Sequence, residues 1–62
     1  MPVVTVRIMQ GKTIEQKRGA VKGITDAIVN NFGVPPEAVM IDILEFSKEN
    51  LAKGGKLRAD QS

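Results

Sequence analysis

The chain has 62 residues, nine Lys and Arg against seven Asp and Glu for a net charge of +2, and neither cysteine nor histidine. This composition excludes a disulfide framework, an ordinary zinc site and every catalytic mechanism that needs a histidine or cysteine side chain. The basic residues are scattered, and no apolar run approaches the roughly 20 residues of a membrane span. We therefore expect a cytoplasmic protein that binds neither nucleic acid nor membrane.

The first predicted element is a strand from Val3 to Met9, which is rich in β-branched residues that alternate in part. Pro2 precedes it and becomes the amino terminus if Met1 is removed. Its nitrogen is then a secondary amine, and an apolar pocket with nearby cations lowers the pKa of such an amine. Pro2 is thus a candidate general base near neutral pH. The alternative is that proline merely tolerates a strand start, where no ladder hydrogen bond needs its missing N–H.

A long amphipathic helix is predicted next, from Ile14 to about Phe32. Thr13 and Gln16 have the spacing of a capping box at its start. Gly33 and the two prolines that follow shortly after it end the helix. Apolar residues recur at three-and-four spacing, so we expect one buried face.

The second predicted strand covers Val39 to Phe46, after a single turn at 36–38. Strand, helix and strand form a βαβ unit whose strands run parallel with a right-handed crossover. Gly54 and Gly55 then predict a short hairpin in the tail. The expected fold is α+β, with residues 1–62 as a single domain.

The helix can cover only one face of the predicted sheet. The other face carries apolar groups, and an uncovered apolar face is an association surface. A chain of this size without a disulfide or metal also needs partners for stability. The sequence therefore predicts an oligomer, with the tail docked on a neighbouring subunit. The residues predicted on the uncovered face are Val3, Thr5, Met40, Leu44 and Phe46.

The order of these features resembles the 4-oxalocrotonate tautomerase family over nearly the whole chain. The residues that carry the resemblance are Pro2, the turn Gln10-Gly11-Lys12-Thr13, the helix start Glu15-Gln16-Lys17, Glu45 and the pair Gly54-Gly55. The resemblance implies a tautomerase-like βαβ domain in a homo-oligomer, a hexamer built as a trimer of dimers. It also implies that Pro2 moves a proton in the keto–enol conversion of a small unsaturated acid of the 2-hydroxymuconate or 4-oxalocrotonate type, in aromatic compound catabolism. No cofactor or metal is expected.

The same resemblance implies four substrate-binding positions. Lys12 stands where the family usually has an arginine that binds a substrate carboxylate, and Met40 stands where a second arginine polarises the substrate carbonyl. Met9 and Leu51 match the apolar wall of the proline pocket, with leucine in place of a frequent aromatic residue. The set of candidate residues is Pro2, Lys12, Met9, Met40 and Leu51.

Each departure from the family pattern has a plainer interpretation. Lys12 could be a solvated turn lysine, and Met40 could simply pack in an interface. Arg7 or Arg58 could supply a replacement cation. The alternative function is a non-catalytic or weakly active oligomeric member of the fold that acts as a structural or binding subunit.

Overall fold

A parallel pair of strands and one long helix make up most of the computed structural model, which describes residues 1–61. Strand β1 covers Val3–Met9, helix α1 covers Ile14–Phe32 and strand β2 covers Met40–Phe46. The two strands pair in parallel over their whole length, with Val3 opposite Met40 and Met9 opposite Phe46. The predicted α+β fold and its βαβ unit are confirmed.

Both ends of α1 are fixed by local hydrogen bonds. Thr13 Oγ1 accepts the backbone N–H of Gln16 at 3.1 Å, and Gln16 Oε1 accepts the backbone N–H of Thr13 at 2.9 Å. This reciprocal pair satisfies two donors that the first helical turn leaves without partners. At the other end Gly33 adopts the left-handed conformation with φ of 70° and donates to the carbonyl of Val29 at 3.0 Å. The predicted helix bounds follow from these caps.

Strand β2 starts one residue later than predicted. A single 3-10 turn at Pro36–Ala38 precedes it, and the N–H of Val39 donates to the carbonyl of Pro36 at 3.1 Å. Because that N–H closes the turn, Val39 cannot also use it in the sheet. The first paired residue is Met40.

The predicted hairpin is present in the tail. Strands β3, Ala52–Lys53, and β4, Lys56–Leu57, pair antiparallel, and Gly54 and Gly55 both have positive φ between them. Two 3-10 turns flank the hairpin, Lys48–Asn50 and Arg58–Asp60, and neither was predicted from the sequence.

Helix α1 covers one face of the sheet and leaves the other open. The side chains of Val4, Val6, Ile8, Ile41 and Ile43 are half-buried on the helix side. On the open face Val3 is 64% exposed, Met40 55% and Leu44 51%, whereas Phe46 is half-buried near the tail. No residue among 1–61 is fully buried. The single chain therefore has a half-formed core.

The two strand carboxylates point to opposite faces and each has a partner. Glu45 binds Lys17 of α1 at 2.8 Å on the helix side, and Asp42 accepts a hydrogen bond from Thr5 Oγ1 at 2.9 Å on the open side. They are not placed to act as a pair of catalytic acids. Within the described part of the chain, neither α1 nor the shorter helical turns combine the length and the apolar character that a membrane crossing needs.

Candidate functional site

Pro2 lies at the amino end of the sheet, immediately before β1. It is half-buried, and its carbonyl oxygen accepts the N–H of Met40 at 3.0 Å. Met1, which precedes it, is 84% exposed. The sheet therefore holds Pro2 through its carbonyl and places Met40 beside it.

Met9 and Leu51 meet at the opposite end of the sheet. They border a cavity of about 280 Å³ under the tail hairpin. The backbone N–H of Arg58 donates to the carbonyl of Leu51 at 2.7 Å, and its guanidinium lies 3.4 Å from Gln61 Oε1. The residues that line this cavity are Met9, Leu51, Ala52, Lys53, Arg58 and Gln61.

A neighbouring cavity of about 500 Å³ shares Met9 with the first. It lies between the end of the sheet and the first 3-10 turn of the tail, and Phe46, Lys48 and Glu49 contribute to its lining. Phe46 is half-buried because the tail covers it here. This second cavity contains an acidic side chain, which the first does not.

Lys12 lies on the helix side of the same end of the sheet. Together with Gln16 and Lys17 it borders an apolar cavity of about 170 Å³ between β1 and α1, whose interior is formed by residues such as Val6 and Ile24. Lys12 does not line the cavity that contains Met9 and Leu51.

The five candidate residues thus fall into three places in one chain. Pro2 and Met40 lie at one end of the sheet, Met9 and Leu51 at the other, and Lys12 next to the helix. Since a strand rises about 3.3 Å per residue, Pro2 and Met9 are roughly 23 Å apart. A site that uses all five residues needs contributions from at least two chains.

Three residues of the Met9 and Leu51 cavity were not anticipated from the sequence, namely Ala52, Lys53 and Gln61. The sequence indicated Arg58 as a possible replacement cation, but it did not indicate where in the fold Arg58 would lie. The predicted hairpin indicates that position, because the residue that follows a short hairpin lies opposite the residue that precedes it. Arg58 and Leu51 occupy those two positions.

Comparisons with known proteins give consistent matches over the whole described chain. The family model for the tautomerase enzymes matches residues 2–61. A probable tautomerase of Bradyrhizobium diazoefficiens is 46% identical over 56 residues, which cover 90% of this chain and 84% of that relative. A 2-hydroxymuconate tautomerase of Bacillus subtilis is 38% identical over 60 residues, covering 97% of each chain. A solved structure of a 4-oxalocrotonate tautomerase isozyme from Methylibium petroleiphilum has a TM-score of 0.89 and 38% identity, and the match covers 94% of this chain and 91% of that one.

Proposed function

We propose that this chain, which belongs to the tautomerase enzyme family, interconverts the enol and keto forms of a small unsaturated carboxylic acid with Pro2 as its general base. The substrate class is an acid of the 2-hydroxymuconate or 4-oxalocrotonate type. The relative from Bacillus subtilis, named a 2-hydroxymuconate tautomerase, supports this choice. A cytoplasmic role in aromatic compound catabolism stays a prediction.

The observation that carries the proposal is the way the fold holds Pro2. Its carbonyl is fixed by the N–H of Met40 at 3.0 Å, and its nitrogen lies outside the strand ladder. Removal of the exposed Met1 would therefore free the nitrogen without breaking the sheet. The result would be an amine at a fixed position, which is what a general base requires.

In the proposed reaction the neutral prolyl nitrogen takes the proton of the enol hydroxyl and returns it to a distant carbon of the conjugated chain, so that the enol oxygen becomes the carbonyl of the keto form. The base is regenerated, so no oxidant, reductant or cofactor is consumed. Lys12 attracts a substrate carboxylate, while Met9, Met40 and Leu51 keep water from the amine. Exclusion of water and a nearby cation both lower the pKa of the amine below that of an exposed one, so that its basic form is populated near neutral pH.

Met40 sets a limit on the rate. A methionine cannot donate hydrogen bonds to the oxyanion that develops on the substrate carbonyl. Loss of one preorganised donor of this kind typically lowers the rate by a factor of about 10² to 10³. We therefore expect modest turnover.

The dimensions of the chain support its association with other chains, and we propose that the assembly is a homohexamer, a trimer of dimers. The radius of gyration is 14.9 Å, whereas a compact chain of this length has an expected radius of gyration of about 10.6 Å. The surface area of 4916 Å² exceeds by about 1000 Å² the area expected for a compact protein of this mass. A standard interface buries about 800 Å² on each partner, so the excess is of the right size for association.

The test compares the chain that begins at Pro2 with the same chain that retains Met1. Intact mass spectrometry identifies each form, and ultraviolet absorbance follows the ketonisation of 2-hydroxymuconate. We expect turnover from the processed form and none above background from the Met1 form, because an amide nitrogen is not basic. The rate of the processed form should rise with pH through the pKa of the prolyl amine, since the neutral amine is the base.

Sedimentation of both forms provides the control, because equal assembly excludes an indirect effect of Met1. Equal rates from the two forms would show that the prolyl amine is not the base. A processed chain that assembles but has no turnover would instead favour the alternative, a non-catalytic subunit of the same fold.

A further inference from the structure

We propose that the cavity lined by Met9, Leu51, Ala52, Lys53, Arg58 and Gln61, here called the Arg58 pocket, binds a carboxylate of the substrate through the Arg58 guanidinium. This inference deepens the proposed function, on which it rests, by adding a substrate-binding residue. A substrate with two carboxylates would use Lys12 for one and Arg58 for the other.

A hydrogen bond positions the backbone of Arg58 and places the residue beside the cavity. Its N–H donates to the carbonyl of Leu51 at 2.7 Å, which fixes the residue across the mouth of the hairpin. The guanidinium contacts the neutral amide oxygen of Gln61 at 3.4 Å, a long and weak hydrogen bond. Because the Gln61 amide is neutral, this hydrogen bond leaves the positive charge of Arg58 in place.

Within residues 1–61 no carboxylate forms a salt bridge with Arg58, whereas three other cations have such partners. Lys17 binds Glu45, Arg18 binds Glu15 and Lys22 binds Asp26. A guanidinium has five N–H donors in a planar fork that matches a carboxylate. Among the described residues, the Gln61 amide oxygen is the side-chain partner of these donors, which leaves most of them available to a ligand.

The lining of the Arg58 pocket favours an anion. It contains a second cation, Lys53, and no acidic side chain, in contrast to the neighbouring cavity, which includes Glu49. Met9 and Leu51 form its apolar wall, and an ionic hydrogen bond is stronger beside such a wall than in open water. The volume of about 280 Å³ lies just below the usual range for ligand pockets, which suits a small acid.

Arg58 supplies a property that the sequence lacks at Lys12 and Met40. A lysine acts as a point charge, whereas an arginine also orients the carboxylate that it binds. Lys12 borders the cavity on the helix side and not the one with Met9 and Leu51. Arg58 is the arginine that lies next to the apolar wall formed by Met9 and Leu51.

The experiment measures binding separately from turnover. Adipate, an unreactive six-carbon dicarboxylate, is titrated into the assembled protein while the methyl resonances of Met9 and Leu51 are followed by NMR. We expect Arg58→Ala and Arg58→Gln to raise the dissociation constant at least tenfold, and Arg58→Lys to raise it less. Lys56→Ala, a lysine of the same hairpin that does not line the pocket, should leave it unchanged.

Kinetics on the processed chain supply the second readout. Arg58→Gln should raise KM for the dicarboxylate substrate at least tenfold with kcat changed less than twofold, because the contact forms on binding. Retained hairpin resonances in Arg58→Gln show that the tail is still folded.

Unchanged adipate binding in Arg58→Gln would overturn the proposal even if the processed chain is an active tautomerase. So would a result in which Lys12→Ala abolishes adipate binding while every Arg58 variant binds adipate as the wild-type chain does. Loss of adipate binding in Arg58→Gln supports it even if no turnover is found, so failure of the proposed function is distinguishable from failure of this inference.

Discussion

At the scale of single residues, the proposed chemistry depends on where a few side chains lie relative to the sheet. Pro2 is held by its carbonyl at one end, and Arg58 is held by its N–H at the other. In both cases the backbone hydrogen bond fixes the residue and leaves the reactive nitrogen or the charged group free of the ladder. Lys12 differs, because it lies in the turn between β1 and α1 and is exposed.

Lys12 gives the first prediction. Lys12→Ala should raise KM for the unsaturated acid about tenfold to a hundredfold, since a hydrogen bond to a charged group contributes about 1.5 to 3 kcal/mol. Lys12→Arg should preserve or lower KM, because the guanidinium suits a carboxylate. Steady-state kinetics on the processed chain measure both, with Lys56→Ala as the control for loss of a surface charge. Equal KM values for the two Lys12 variants would identify it as a solvated surface lysine.

At the scale of the elements, α1 depends on its first turn. The capping box of Thr13 and Gln16 satisfies two backbone donors at the point where the chain leaves β1. The ion pair between Lys17 and Glu45 then ties the first turns of the helix to β2. Together these contacts hold the first turn of the helix in place and join it to the sheet.

Thr13→Ala should therefore lower the free energy of unfolding by about 1 kcal/mol, the usual effect of losing an N-cap side chain. Urea denaturation at a fixed protein concentration measures it. Ser47→Ala is the matched control, because Ser47 also precedes a helical turn but its side chain makes no capping hydrogen bond. A loss of stability in Ser47→Ala as large as that in Thr13→Ala would show that the capping box is not the cause.

The elements differ in how far the sequence predicts them. The bounds of β1 and α1 follow from β-branched content, the capping box and Gly33, all of which act within a few residues. The start of β2 was missed by one residue because Val39 could close the turn or join the sheet, and its side chain suits both. The two short turns of the tail were missed since three residues have too little periodicity to indicate a 3-10 helix.

The candidate site was less predictable than the fold. Alternation along β1 predicts which face of the sheet each side chain lies on. Tertiary packing determines which end of the sheet the tail lies against. Alternation therefore does not predict that Lys53 and Gln61 join Met9 and Leu51 around one cavity, or that Lys12 borders another.

At the scale of the whole molecule, the single chain is thin and elongated, with extents of 43 × 24 × 14 Å. One helix on one face of a two-stranded sheet leaves an open apolar face and no fully buried residue among 1–61. We expect the missing half of the core to come from other chains.

Leu44 tests this conclusion because it is 51% exposed near the middle of the open face. Leu44→Glu should dissociate the assembly and lower its melting temperature, since burial of an unpaired charge is strongly unfavourable. Leu44→Met keeps the face apolar at similar volume and should leave assembly unchanged. Sedimentation velocity at micromolar concentration measures the assembly state of both variants. A folded monomeric wild-type chain would contradict the prediction.

The separation of Pro2 from Met9 along β1 also bears on the newly translated chain. Such a chain contains every residue of the proposed site, but its own folding cannot place the two ends of one strand next to each other. Catalysis would therefore begin at encounter between chains, and its onset would depend on how much protein the cell has made. In an assembly that mixes two variants, one altered near Pro2 and the other near Met9, the intact end of one chain could pair with the intact end of its neighbour. The two variants would then partly complement each other.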